Sequence, residues 1–145
     1  MTKEQKDLLI QDLCGRLPYG VKCTSGVDDA ILIVNGINPD CCGASEVQVT
    51  YERSGINFDS TISAIRPYLF PMSSITEEQE EELKNIYYSF DGMFQYTERI
   101  FDRIPFSKMK YFPYQIEEFF NKNHIDYRGL IPLGLANDAT GLNIY

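Results

Sequence analysis

The sequence predicts an α+β domain: an N-terminal helix, a small and mainly antiparallel sheet over residues 21 to about 60, and a helical C-terminal half packed on one sheet face. Three observations predict it. Leu9, Leu13 and Leu17 recur every four residues, Val47, Val49 and Tyr51 alternate with polar residues, and Leu83, Ile86, Tyr87 and Phe90 return to helical spacing. The strand-like runs before residue 60 follow one another too closely for βαβ crossovers, which need a dozen or more residues. At 145 residues the chain has the length of one domain, expected over 1–145.

The first helix starts at Thr2, which with Gln5 matches a capping box, and Gly15 and Pro18 end it before Leu17. Val21 to Thr24 and Ala30 to Val34 are short runs of β-formers around Ser25-Gly26-Val27-Asp28-Asp29, which is hairpin-loop material. The second run lacks polar alternation, which predicts a central strand covered on both faces. Asn35 to Ser45 carries Asn, Gly, Pro and Asp and is expected to turn. A third strand follows over Val47 to Tyr51, and Ile56 to Ile65 suits either a strand or a helical turn. Arg66 to Ser74 contains Pro67 and Pro71 and reads as an extended connection against the body. Ser74 with Glu77, and Thr76 with Gln79, then announce a second helix. Its glutamates fall in the first two turns, where the macrodipole favours those nearest the end by roughly 0.3–1 kcal/mol each. Gly92 interrupts or ends it, Tyr96 to Ile104 can resume it, and Pro105 and Pro113 bracket a connection to a third helix marked by Ile116, Phe119 and Phe120. The tail holds too much glycine and proline for a long helix, so a turn and a docked, partly irregular segment are expected.

Composition removes several function classes. The chain is 43% hydrophobic and 13% aromatic, enough to offset ordering entropy, so a folded chain is expected. Charges stand in the first ten residues where a secretory signal needs an apolar core, and no stretch approaches the roughly 20 apolar residues of a membrane span, so a cytoplasmic protein is expected. In a reducing cytosol Cys14, Cys23, Cys41 and Cys42 are thiols, and their spacing suits neither a zinc site nor a thioredoxin motif. A net charge of −8 repels phosphate backbones and argues against direct nucleic-acid binding. The run Glu77, Glu78, Glu80, Glu81 and Glu82 reads first as a solvated helix start and second as an acidic recognition surface.

No familiar catalytic or cofactor motif is present: phosphate loops are absent, and His124, the single histidine, stands without a nucleophile elbow. A non-enzyme without cofactor or metal is therefore expected. The residues singled out for ligand binding are Arg66, Tyr68, Asp126, Tyr127 and Arg128. Each arginine adjoins a tyrosine and a backbone irregularity, Pro67 or Gly129, so a bidentate guanidinium and an aromatic face could converge on one anion. The structural alternatives are an Asp126–Arg128 ion pair, or Arg128 on a helix end with Tyr127 in the core. Asp28 and Asp29 read as solvated turn residues, and Arg99, Arg103, Lys108 and Lys110 as a basic stretch balancing the glutamates.

Three segments, Thr2–Lys22 (TKEQKDLLIQDLCGRLPYGVK), Pro67–Glu78 (PYLFPMSSITEE) and Asn123–Ile131 (NHIDYRGLI), resemble a family of small uncharacterised proteins from Bacteroidales phages and mobile elements. The resemblance implies a genomic setting and no mechanism. In that setting small acidic proteins without catalytic motifs often bind or block a host component, including host defence systems. The expected function is thus a non-catalytic, phage-type accessory binding protein, with a possible counter-defence role, that engages a host protein or sequesters a small anionic, nucleotide-like ligand. The competing classes are an acidic nucleic-acid mimic and an enzyme of unrecognised type using Asp and Tyr chemistry.

Overall fold

The computed structural model describes residues 1–25, 30–41, 44–91 and 114–145. Helix α1 spans Lys3–Arg16, capped as the sequence predicts: Gln5 N–H donates to Thr2 Oγ1 and Thr2 N–H to Gln5 Oε1. Gly15 does not end the helix. It stays inside, where a Cβ would lie 2.8 Å from Asn121 Nδ2, and the helix passes into a 3₁₀ turn over Leu17–Tyr19 that closes on Gly20 at φ 69°.

One mixed sheet follows. Strands β1 (Lys22–Thr24), β2 (Leu32–Cys41), β3 (Ala44–Tyr51) and β4 (Asn57–Thr61) pair antiparallel in sequence order. Strand β5 (Arg66–Pro71) joins the far side of β1, antiparallel, and accepts β6 (Ile125–Asp126) and β7 (Asn137–Asp138) as parallel partners. The helices α2 (Glu77–Asp91) and α3 (Tyr114–Lys122) complete the α+β architecture. Thr76 and Gln79 make the second capping box, while Ser74 donates to the Pro71 carbonyl instead.

Three readings of the sequence need correction. The segment expected to turn from Asn35 continues β2 to Cys41, because register shifts after Val34 and after Asn38 absorb residues that cannot pair. The Ala30–Val34 run is not covered on both faces: Leu32 and Val34 are buried while Ile31 and Ile33 are half-exposed. Arg66–Pro71 is a strand within the sheet. Its prolines are tolerated because β1, β7 and β6 each pair with two residues of it and ask few donors of its backbone. The candidates Asp28, Asp29, Cys42, Gly92, Arg99, Arg103, Lys108 and Lys110, and the elements expected over 96–113, lie outside the described residues.

Leu9 and Leu13 of α1 pack on Val21, Cys23, Leu32, Val34, Val47 and Val49 to form the main core. A second cluster joins Leu83 of α2 to Ile116, Phe119 and Phe120 of α3 and Ile125 of β6, with Phe70 and Met72 against it. Between the clusters, the end of α1 meets the end of α3. Among the described residues no helix is long and apolar enough to cross a membrane.

Candidate functional site

The junction of α1, α3 and β6 holds the most enclosed charges among the described residues. Asp12 and Arg16 stand one helical turn apart on the leucine side of α1, and both are fully buried. Arg16 Nε and Nη2 donate to Asp12 Oδ2 and Oδ1 at 2.7 and 2.9 Å. Two of its three remaining N–H groups reach the Phe120 carbonyl at 3.2 Å and the Ile125 carbonyl at 2.8 Å. Phe120 lies in the last turn of α3, whose carbonyls lack helical partners, so Arg16 caps α3 from another helix. A buried charge persists in apolar surroundings only when paired and hydrogen-bonded, and this one is satisfied by two carboxylate oxygens and two carbonyls.

The predicted block Asp126-Tyr127-Arg128 belongs to the same junction. Asp126 accepts from the Leu130 and Ile131 amides at 2.7 and 2.8 Å, organising the turn in which Gly129 takes φ 74°. Burial raises its pKa, with those two amides opposing. The Tyr127 ring stacks on Phe120 at 5.2 Å, and the Arg128 guanidinium lies 4.7 Å from the ring centroid on Tyr127. Arg128 pairs at 3.6 Å with Asp12 and 3.9 Å with Glu117, rather than with Asp126. Arg66 and Tyr68 lie elsewhere, on β5. Arg66 donates to the Ser63 and Ile65 carbonyls, and the Tyr68 carbonyl accepts from the Tyr145 hydroxyl at 2.9 Å. Among the described residues no hydrogen bond or ion pair joins Arg66 to Arg128.

Beyond α3 the chain turns at His124, at φ 53°, with its N–H on the Asn121 carbonyl. This is the left-handed position that ends many helices, rarely taken by a side chain as large as imidazole. The ring stacks on Tyr145 with centroids 3.7 Å apart and planes at 11°. Tyr145 is held in turn by the Lys22 amide and the Tyr68 carbonyl. Burial first, then the positive charges of Arg16 and Lys22, push the His124 pKa down to about 4, with the Tyr19 backbone pulling slightly upward. The ring is neutral at pH 7. Its Nδ1 is enclosed and has no hydrogen-bond partner, while the ring's hydrogen bond goes to the Tyr19 backbone and not to a nucleophilic side chain.

Beside this stack lies a cleft of about 450 Å³, built from three separate segments. Phe70, Ser74, Thr76 and Gln79 supply one side, Lys122 to Ile125 another, and Thr140, Gly141 and Tyr145 the third. Lys122 makes no ion pair among the described residues, and no Asp or Glu side chain lines the cleft. A second groove of about 550 Å³ runs over the outer sheet face, where Asn35 donates to Thr50 and Thr50 to Asn57.

Sequence reasoning missed Arg16, Asp12, Lys122 and the His124–Tyr145 pair. Charges at positions 12 and 16, in register with Leu9 and Leu13, were the available signal for the first two. The cleft left none, because its three walls come from separate stretches of the chain, 43 and 15 residues apart. No protein-family model, curated protein or solved structure matches the chain.

Proposed function

We propose that the chain is a non-catalytic accessory binding protein of a bacterial cytoplasm that sequesters a small anionic ligand in the cleft beside His124. One observation carries the reading. In a chain with 21 acidic and 13 basic residues, the cleft is lined by a lysine and by no Asp or Glu side chain. The net charge of −8 opposes an anion only weakly at a distance, since screening at physiological salt sets in over about 8 Å, and the local lysine dominates. The non-catalytic part is supported by a histidine with a depressed pKa and no nucleophile, and by arginines already engaged with carbonyls and carboxylates. The phage-like resemblance suits such a role, counter-defence included.

A second reading, engagement of a basic host protein, is favoured by Glu77, Glu78, Glu80, Glu81 and Glu82, all exposed on α2. Only Glu80 has a lysine partner among the described residues, Lys84 at 3.1 Å. A nucleic-acid mimic draws less support, because six residues of helix span about 9 Å, too short to imitate a run of phosphates.

The test is capture of the tagged chain from host lysate, followed by denaturation and mass spectrometry of both small molecules and proteins. The proposal expects a low-molecular-weight anion in near-stoichiometric amount. A stoichiometric protein partner with no released small molecule would support the second reading and reject the first.

A further inference from the structure

We infer that the cleft takes a nucleoside monophosphate, with the phosphate at Lys122 and the flat base against the aromatic wall of Phe70 and Tyr145. The inference rests on the proposal above and narrows it. At roughly 30 Å³ of liquid volume per molecule, a cleft of about 450 Å³ holds about fifteen waters, far more space than a lone inorganic anion fills. Its volume lies in the range of sites that enclose whole small molecules, which combine apolar surface with a few placed polar groups. Phe70 and Tyr145 provide that surface. An inorganic anion would leave both rings wet, whereas a planar heterocycle covers them; base–aromatic stacking contributes about 1–3 kcal/mol.

The polar groups not already used point to an anion at one end. Ser74 donates to the Pro71 carbonyl and the Asn123 amide to the Phe119 carbonyl, so these are committed. Lys122 has no ion-pair partner among the described residues, whereas the Thr140 hydroxyl is held by the Asp138 carboxylate, so the lysine is the cleft's uncommitted charged donor. A cation suits phosphate oxygens, and no Asp or Glu side chain lines the cleft to repel them.

His124 marks the wall against which the base would rest. A non-glycine residue in the left-handed region and an enclosed acceptor without a donor are both unfavourable, and such features concentrate at binding sites. A base laid against Tyr145, which stacks on His124, would change the surroundings of the imidazole through that ring.

The test uses the whole chain labelled with ¹⁵N, in which the single histidine gives one unambiguous pair of ring nitrogen signals. AMP, GMP, CMP and UMP, their nucleosides, and inorganic phosphate are each titrated, with affinities measured in parallel by calorimetry. The expected result is that at least one nucleotide binds and moves the His124 ring signals, with its nucleoside and inorganic phosphate each at least about tenfold weaker. Lys122→Gln should weaken that nucleotide about tenfold, the loss of one charge-assisted hydrogen bond, without changing the thermal midpoint. No binding by any of the four at millimolar concentration overturns this inference, and a different anion released from the captured protein would then leave the broader proposal standing. Inorganic phosphate binding as tightly as the nucleotides, or nucleotide binding unaffected by Lys122→Gln, also overturns it.

Discussion

Arg16 and Asp12 face each other across one turn of α1, fully buried, with two parallel N–H···O contacts at 2.7 and 2.9 Å. Removing Arg16 leaves buried Asp12 with only the longer 3.6 Å contact to Arg128 and frees two carbonyls, so Arg16→Ala is expected to cost about 3 kcal/mol, read from urea unfolding. The pair Asp12→Leu with Arg16→Met removes both charges and should recover at least about half of that loss. A single replacement costing under about 1 kcal/mol would show that the pair does not hold α1 to α3.

Gly15 and Asn121 form the neighbouring contact between these helices. Replacing an internal helical glycine by alanine normally stabilises by about 1 kcal/mol, but here the new Cβ would lie 2.8 Å from Asn121 Nδ2. Gly15→Ala should therefore be neutral or destabilising in the native background and stabilising once Asn121→Ala has made room. Equal effects in both backgrounds, measured as a double-mutant cycle, would refute the close approach.

His124 makes stability depend on pH. Its folded pKa, about 4, lies below the ordinary 6.5, so the unfolded chain binds the proton more readily between those values. The contribution is complete above pH 6.5, falls as pH drops toward 4, and amounts to about 3 kcal/mol across the window. Asp126, with its pKa raised by burial, acts in the opposite sense above 3.8, so the His124 effect is read as the difference between the native chain and a histidine variant from pH 4 to 6.5. Over that interval His124→Asn, which tolerates the left-handed backbone, should flatten the slope; an unchanged slope would remove the histidine as its source.

Arg66 and Arg128 should respond differently to lysine. Arg128 spans Asp12, Glu117 and the Tyr127 ring, so Arg128→Lys should lower the thermal midpoint by about 4 °C, equivalent to roughly 1 kcal/mol in a chain of this size. Arg66 grips two carbonyls of its own loop, and Arg66→Lys should shift the midpoint by less than half as much. A larger loss at Arg66 than at Arg128 would contradict the placement of the network.

What the sequence made legible was local. The Thr2–Gln5 and Thr76–Gln79 boxes announced α1 and α2, and the alternation of Val47 and Val49 announced β3, because the same few residues carry both signal and structure. Pro67 and Pro71 concealed β5, since a strand paired in short stretches with three neighbours needs less backbone donation than proline is assumed to interrupt. Gly36 and Pro39 concealed the length of β2 because bulges let a strand carry residues that ordinarily end it. Arg16 was visible as a charge on an apolar stripe, but its carbonyl partners lie 104 and 109 residues away and no local pattern names them. Arg128 and Tyr127 were found as a pair, whereas their joining to Asp12 and Phe120 was a matter of tertiary packing.

The central claim, that the cleft at the end of α3 holds a small anion, is tested most directly by purifying the native chain and Lys122→Glu side by side from the same host and comparing the small molecules each releases on denaturation. Lys122 is exposed and makes no ion pair among the described residues, so the charge reversal should leave folding intact and the two thermal midpoints equal. The account predicts an anionic compound released from the native chain and at least about tenfold less of it from Lys122→Glu. The same compound in equal amount from both chains, or none from either, would contradict it.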